Sequence, residues 1–283
     1  MKYCRYIPPL PLSAYVSCLW YSEGFEGTHA RERLLPNGES GIVFDLRESG
    51  WSGRQVSIYD PDDPVKVDLH APAIFCGART DCFVIETSAQ ERVLGIQFQP
   101  GGAFPFLEMP ASEVARDTYE LSDAWGSEAL LLREQLLAAD GIRAMFLMLE
   151  KALLERLERH HALHPAVAYA AKRLSDAQDT ARVTDVTEQI GMSARRFGDL
   201  FREQTGLTPK AFHRVRRFQQ VLQRLRGGRP ANCVDGANWA ALAVDCGYYD
   251  QAHFIHDFKQ FSGLTPGEYL LVATPHLNHL PLK

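Results

Sequence analysis

Apolar and polar positions divide the chain into two stretches of different period. Over the first 115 residues the apolar positions come in short runs rich in Val, Ile and Phe: Gly41–Leu46, Val56–Ile58, Ala73–Phe75, Cys82–Thr87 and Val93–Phe98. Each run is predicted as a β-strand. Between them stand Pro36-Asn37-Gly38, Ser49-Gly50, Asp60-Pro61-Asp62-Asp63-Pro64 and Pro100-Gly101-Gly102, all of them turn formers. Short strands at such spacing point to a β-barrel or sandwich of the small-ligand kind. From Glu128 the period lengthens. Ile142, Met145, Phe146, Leu149, Leu153 and Leu157 recur every three or four residues, which predicts one amphipathic helix behind an earlier one at Glu128–Ala139, with Gly141 between them. The stripe packs against its own domain or forms a dimer seam, the first being the commoner use.

A second pattern is a repeat. Phe197, Phe201, Gly206, Leu207, Thr208 and Pro209 return 57 residues later as Phe254, Phe258, Gly263, Leu264, Thr265 and Pro266. In the first copy Val183, Val186 and Ile190 edge a short helix, Gly191 is free to end it at positive φ, and Ser193 is placed to cap the next. Thr208-Pro209 and Thr265-Pro266 each read as an N-cap with proline at the first helical position. Helix, glycine turn, helix is the helix-turn-helix pattern, whose second helix enters a DNA major groove. Pro209 to Arg226 reads as one helix joining the copies, apolar along Phe212, Val215, Phe218, Leu222 and Leu225. Arg214, Arg217 and Arg224 share another face, placed to line phosphates or simply to meet solvent.

Charge sharpens this picture. The 283 residues carry a net −5, but residues 1–164 hold 15 basic against 24 acidic side chains and residues 165–283 hold 15 against 11. Within 165–230 the balance is 13 against 6. An acidic half joined to a basic half suits a polyanion-binding module carried by something else. The six cysteines, Cys4, Cys18, Cys76, Cys82, Cys233 and Cys246, show no C-x-x-C spacing, and Met1–Tyr21 is broken by prolines and does not read as a signal peptide. Reduced thiols in a cytoplasmic protein without a membrane span are therefore expected.

The second copy resembles the AraC/XylS family of bacterial transcription regulators: Ala240-Ala241-Leu242-Ala243, Gly247-Tyr248-Tyr249-Asp250-Gln251-Ala252-His253-Phe254, Phe258, and Gly263-Leu264-Thr265-Pro266-Gly267-Glu268-Tyr269. The N-terminal half is similar to a domain of undefined function in one subgroup, through Leu35-Pro36-Asn37-Gly38, Phe75-Cys76-Gly77, Phe98-Gln99-Pro100-Gly101-Gly102-Ala103 and Leu121-Ser122-Asp123. The resemblance implies that the second helix of each unit reads bases. By position the outward residues are Arg195, Arg196, Gly198, Asp199 and Arg202, then Gln251, Ala252, Ile255, His256 and Lys259. The family usually has arginine where Asp199 and His256 stand, so base reading should lean on Arg195, Arg196 and Gln251.

The expected protein is thus of the α+β class. A β-rich, barrel-like sensor domain (1–120) and a helical connector or dimerisation element (121–164) precede an all-α domain of two helix-turn-helix units joined by a linker helix (165–283). Its expected DNA-binding residues are Ser193, Arg195, Arg196, Arg202, Arg214, Arg217, Gln251, His256 and Lys259. Double-stranded DNA, RNA polymerase, a small-molecule effector and a second copy of the chain are the expected partners of a cytoplasmic activator, with no cofactor. The alternative is a small-molecule-processing enzyme tethered to a DNA reader. Against it, His29, His70, Glu86 and Glu91 make no evident metal triad, and no nucleophile elbow, phosphate loop or dinucleotide fingerprint occurs. The histidines at His160, His161 and His164 read as a solvated junction, and Cys76 and Cys82 as buried, unreactive thiols.

Overall fold

The computed structural model describes residues 1–24, 29–47, 56–58, 67–69, 71–159, 162–176, 182–227, 239–274 and 276–282. The turns at Ser49-Gly50 and Asp60–Pro64, together with His70, His160, His161 and Cys233, lie outside them. The first part of the chain forms strands β1 (Lys2–Tyr6), β2 (Val16–Glu23), β3 (Arg31–Leu34), β4 (Gly41–Asp45), β5 (Val56–Ile58), β6 (Val67–Leu69), β7 (Ala73–Cys76), β8 (Phe83–Glu86), β9 (Arg92–Phe98) and β10 (Thr118–Glu120). All five runs anticipated from the sequence are strands, with ends moved by a residue or two. Helices follow: α1 (Leu121–Trp125), α2 (Ser127–Ala138), α3 (Ile142–Leu157), α4 (Pro165–Ser175), α5 (Val183–Ile190), α6 (Ala194–Thr205), α7 (Pro209–Gly227), α8 (Trp239–Asp245), α9 (Gln251–Ser262) and α10 (Pro266–Val272). A last strand, β11 (His279–Leu282), closes the chain's described part.

The strands make an antiparallel six-stranded sheet in the order β1-β2-β9-β4-β7-β10, and the expected barrel is not closed. Strands β3 and β8 do not bridge its edges. They pair with each other and with β11 in a separate three-stranded sheet. Side chains alternate across the large sheet as a half-buried strand requires, with Leu19, Ile42, Phe44, Phe75, Leu94, Ile96 and Phe98 on the inner face. Gly95 on β9 faces Trp20 on β2, and a Cβ there would stand 2.1 Å from the indole, so the ring's packing needs the glycine. Helices α1–α3 cover the inner face: Trp125, Ala129, Leu132 and Leu136 join Met145, Phe146, Leu149 and Leu153 in the same core. The Ile142–Leu157 stripe is therefore spent within its own chain.

The C-terminal strand crosses back to the beginning of the molecule. β11 runs antiparallel to β3 from His279 opposite Leu34 to Leu282 opposite Arg31. Beneath it, Glu32 is almost fully buried between His29 at 2.9 Å, His279 at 2.8 Å and Gln90 at 3.1 Å. Burial raises its carboxyl pKa, but hydrogen bonds with His279 and His29 more than offset this and hold it at about 2, below the ordinary 4.5. A depressed carboxyl stabilises the fold fully above its unfolded pKa and loses that contribution as pH falls through the folded one. The contribution, on the order of 3 kcal/mol at neutral pH, should therefore disappear between about pH 4.5 and 2. Protection of the His279, Leu280 and Leu282 amides, relative to the intrinsic exchange rate at each pH, should fall in that window in the native chain, and the step should vanish in Glu32→Gln.

Candidate nucleic-acid interface

The repeat seen in the sequence holds down to individual atoms. In the first unit Val186 of α5, Val167 and Ala170 of α4, and Phe197 and Phe201 of α6 form one core with Phe212. In the second, Phe254 and Phe258 of α9 pack with Ala243, Phe261, Tyr269 and the α7 residues Phe218, Val221, Leu222 and Leu225. The second helix of each unit ends on a glycine in the left-handed region, Gly206 at φ 84° and Gly263 at φ 70°. One residue before each, a hydroxyl tightens the turn. Thr205 Oγ1 lies 2.8 Å from Phe201 O and accepts from Leu207 N at 3.2 Å, while Ser262 Oγ lies 2.6 Å from Phe258 O and accepts from Leu264 N at 3.1 Å. The anticipated N-caps of α6, α7 and α10 form as well. Ser193 accepts from Arg196 N at 3.3 Å, and Thr208 from Ala211 N at 3.2 Å. Thr265 and Glu268 form a reciprocal capping box, and the hydrogen bonds from Thr265 lower the Glu268 carboxyl pKa.

With the phenylalanines turned inward, the opposite face of α6 and of α9 points out. Ser193, Arg195, Arg196, Asp199 and Arg202 are exposed along α6 and the residue that caps it, and Gln251, Ala252, His256 and Lys259 along α9. Arg195 Nε stands 4.0 Å from Asp199 on the next turn, both side chains almost fully in solvent. An open groove of about 440 Å³ runs beside α6, lined by Met192, Ser193, Arg195, Arg196, Asp199 and Glu203 among others. Gly198 and Ile255 are only partly exposed.

The linker-helix arginines are placed differently from the surface residues of α6 and α9. Arg214 Nη2 donates to Asp257 Oδ1 and to Gln260 Oε1, both at 2.6 Å, and its guanidinium lies 5.3 Å from the Phe261 ring. The hydrogen bond with Asp257 raises its pKa. Arg217 donates to Gly247 O at 2.8 Å, lies 3.9 Å from Asp257 and stacks on Tyr248 at 4.8 Å. Arg224 reaches Asp245 at 3.6 Å. Asp257 itself is 1% exposed. It takes the inward slot three residues after Phe254, so one carboxylate ties α7 to α9.

Reading the residues alone missed this hub, because an aspartate next to Phe258 looks like surface. Its signal was the i, i+3, i+4, i+7 series Phe254, Asp257, Phe258, Phe261, in which only Asp257 breaks an apolar face. Helix α4 was also missed. His164 caps it through Nδ1, which accepts from Ala166 N at 3.1 Å, so this histidine has a structural use at the junction. Among the described residues no three His, Cys, Asp or Glu side chains gather as a metal site would need. Cys82 is buried, Cys76 is partly exposed, and burial pushes the Cys76 thiol pKa up.

These elements define a protein with a duplicated helix-turn-helix domain behind a β-rich domain. Two family models match it, a domain of unknown function (DUF6597) over residues 4–120 and a helix-turn-helix domain over residues 186–271. The arabinose operon regulatory protein of Escherichia coli (strain K12) is 27% identical over 143 residues, 48% of this chain and 47% of the relative. The chain thus spans about half the length of that curated relative. It is similar to AraC-type regulators in its helix-turn-helix part, with the domain of unknown function matched over its N-terminal part.

Among solved structures, ToxT from Vibrio cholerae O395 is similar at 11% identity and a TM-score of 0.43, covering 91% of this chain and 97% of that one. Unsaturated fatty acid bound ToxT from Vibrio cholerae strain SCE256 is similar at 11% identity and a TM-score of 0.44, covering 90% and 94%. No helix among the described residues is long and apolar enough to cross a membrane.

Proposed function

We propose that the chain binds double-stranded DNA with α6 and α9 and regulates transcription, its N-terminal half responding to an effector or partner. The observation that carries this reading is the pair of equivalent helices, each capped and terminated alike, whose exposed faces hold Arg195, Arg196 and Arg202 in one unit and Gln251, His256 and Lys259 in the other. Arginine suits guanine edges and glutamine suits adenine edges, so Arg195, Arg196 and Gln251 are assigned to bases. Arg202 and Lys259 are assigned to phosphates. Ser193 presents the first free amides of α6 near the backbone, and His256 is an additional donor. Arg214 and Arg217, engaged with Asp257, support the second unit and present only the remaining part of their charge to DNA. The name of the arabinose operon regulatory protein, a relative over 143 residues, supports a regulatory role. RNA polymerase and a second copy of the chain are further partners this reading allows, and it places the protein with the chromosome in the cytoplasm.

The test uses duplexes selected by the full chain from a random library. Arg196→Ala and Gln251→Ala should each cost about 1–3 kcal/mol on the preferred duplex and relax selection at a few base positions. Unchanged selection in both variants would remove these residues from the reading surface. Asp199→Asn should tighten binding to all duplexes alike, since it removes an exposed negative charge from the face assigned to DNA.

A further inference from the structure

The N-terminal half grips the same end of both reading helices. In the first unit Ala111 N donates to Glu203 O at 2.7 Å. A Cβ on the α6 cap Gly206 would lie 3.1 Å from both Ala111 O and Ala115 Cβ. In the second unit Arg33 Nη1 donates to Ser262 O at 2.9 Å, and a Cβ on the equivalent cap Gly263 would lie 2.9 Å from that same nitrogen. Two unrelated parts of the N-terminal half thus seat on matching positions of the duplicated unit, each against a glycine that leaves room for it.

A third contact lies between them, on α7. Gln219 Nε2 donates to Pro36 O at 2.8 Å, and Arg216 Nη1 donates to Asn37 O at 3.1 Å and to Glu39 Oε1 at 2.8 Å. Gly38, at φ +74°, lies flat enough on the helix that a Cβ would be 3.4 Å from Phe212 and Val215. Beyond α10 the chain then adds β11 to β3, so backbone hydrogen bonds tether the second unit to the strand that carries Arg33. Leu280 of β11 and Leu35 join the second unit's core.

We propose that Arg33, Glu39 and strand β11 are positioning elements for DNA binding, fixing α9 relative to α6 so that the free protein presents both reading helices together. The reading faces stay open under this grip, since Arg195, Arg196, Gln251, His256 and Lys259 are all exposed. The grip therefore orients and does not block. A preset angle makes the second helix's encounter with its half-site intramolecular, and loosening that angle lowers its effective concentration without touching any DNA contact. Strand β3 leads directly into the Leu35–Glu39 turn, so a shift of this one segment moves Arg33, Leu35 and the contacts to α7 together.

This inference rests on the reading that α6 and α9 bind DNA, and the test separates the two. Full-length protein is titrated against a duplex selected from a random library by the native chain, and against two derivatives in which one or the other half-site is scrambled. Two variants are compared, Arg33→Gln with Glu39→Gln, and a chain ending at Asn278. Stoichiometric titration corrects each for its active fraction. Each variant should lose about tenfold or more on the intact duplex and less than about twofold on the half-scrambled ones. Equal losses on all three duplexes, or no loss on any, would overturn the positioning role while leaving DNA binding standing. Failure of the native chain to select any duplex would overturn both.

Discussion

Phe218→Ala should destabilise the second helix-turn-helix unit by about 3–5 kcal/mol, as removal of a fully buried ring commonly does. Phe218 is completely buried on α7, 5.2 Å between ring centres from Phe258 and 5.3 Å from Phe261. Phe258 in turn meets Phe254 at 5.8 Å and Tyr269 at 5.6 Å, so the ring sits where α7, α9 and α10 converge. The cavity left behind cannot close without moving α9. Loss of the ring should therefore appear as an early unfolding step in chemical denaturation, with residues 239–274 losing hydrogen-exchange protection before the N-terminal sheet. A single cooperative transition with an unshifted midpoint would contradict that role.

The second large effect is expected at Asp257. Its carboxylate is inaccessible to solvent and faces Arg214 at 2.6 Å, Arg217 at 3.9 Å and His253 at 3.7 Å. Asp257→Ala leaves two guanidinium groups beside an aromatic wall without their counter-charge, and removing one partner of a buried pair commonly costs about 3–5 kcal/mol. The exposure of Arg214, 28% of its side chain, lets water compensate in part, so the lower end of that range is expected. Tyr248 gives an independent signature. Burial first, and Asp257 second, push its phenol pKa well above the ordinary 10. Removing the carboxylate should bring the alkaline absorbance transition of that tyrosine down in pH. An unchanged melting temperature together with an unchanged tyrosine titration would place Asp257 outside the hub.

What could be read from the chain depended on how local the determinants are. Helices α3, α5, α6 and α7 announced themselves by spacing, and Gly191, Ser193 and Thr208 marked ends of the last three, because a cap acts within three residues of itself. The duplication was legible because Phe197, Phe201 and Gly206 return as Phe254, Phe258 and Gly263 in the same order.

Strand β11 was not legible. His279–Leu282 contains a proline and alternates weakly, and it becomes a strand only by meeting Arg31–Leu34, some 250 positions earlier. The same holds for Glu39 with Arg216 and for Arg33 with Ser262, pairs whose partners lie 177 and 229 residues apart. Arg214 and Arg217 look like solvent-facing charges on a helical wheel, and only the tertiary fold turns them onto Asp257. The acidic and basic halves likewise appeared as separate modules by charge, whereas the turn around Asn37 and the strand β11 join them closely.

The most direct measurement is the salt dependence of affinity for a duplex selected by the full chain. Arg202 and Lys259, the side chains assigned to phosphates, predict that log affinity falls against log salt with a slope of about −2. Arg202→Ala should flatten that slope by roughly 1 and weaken binding to all duplexes alike, while Gln251→Ala should leave the slope unchanged and relax base preference. A slope near zero, or equal affinity for selected and random duplexes, would contradict a DNA-reading role for α6 and α9.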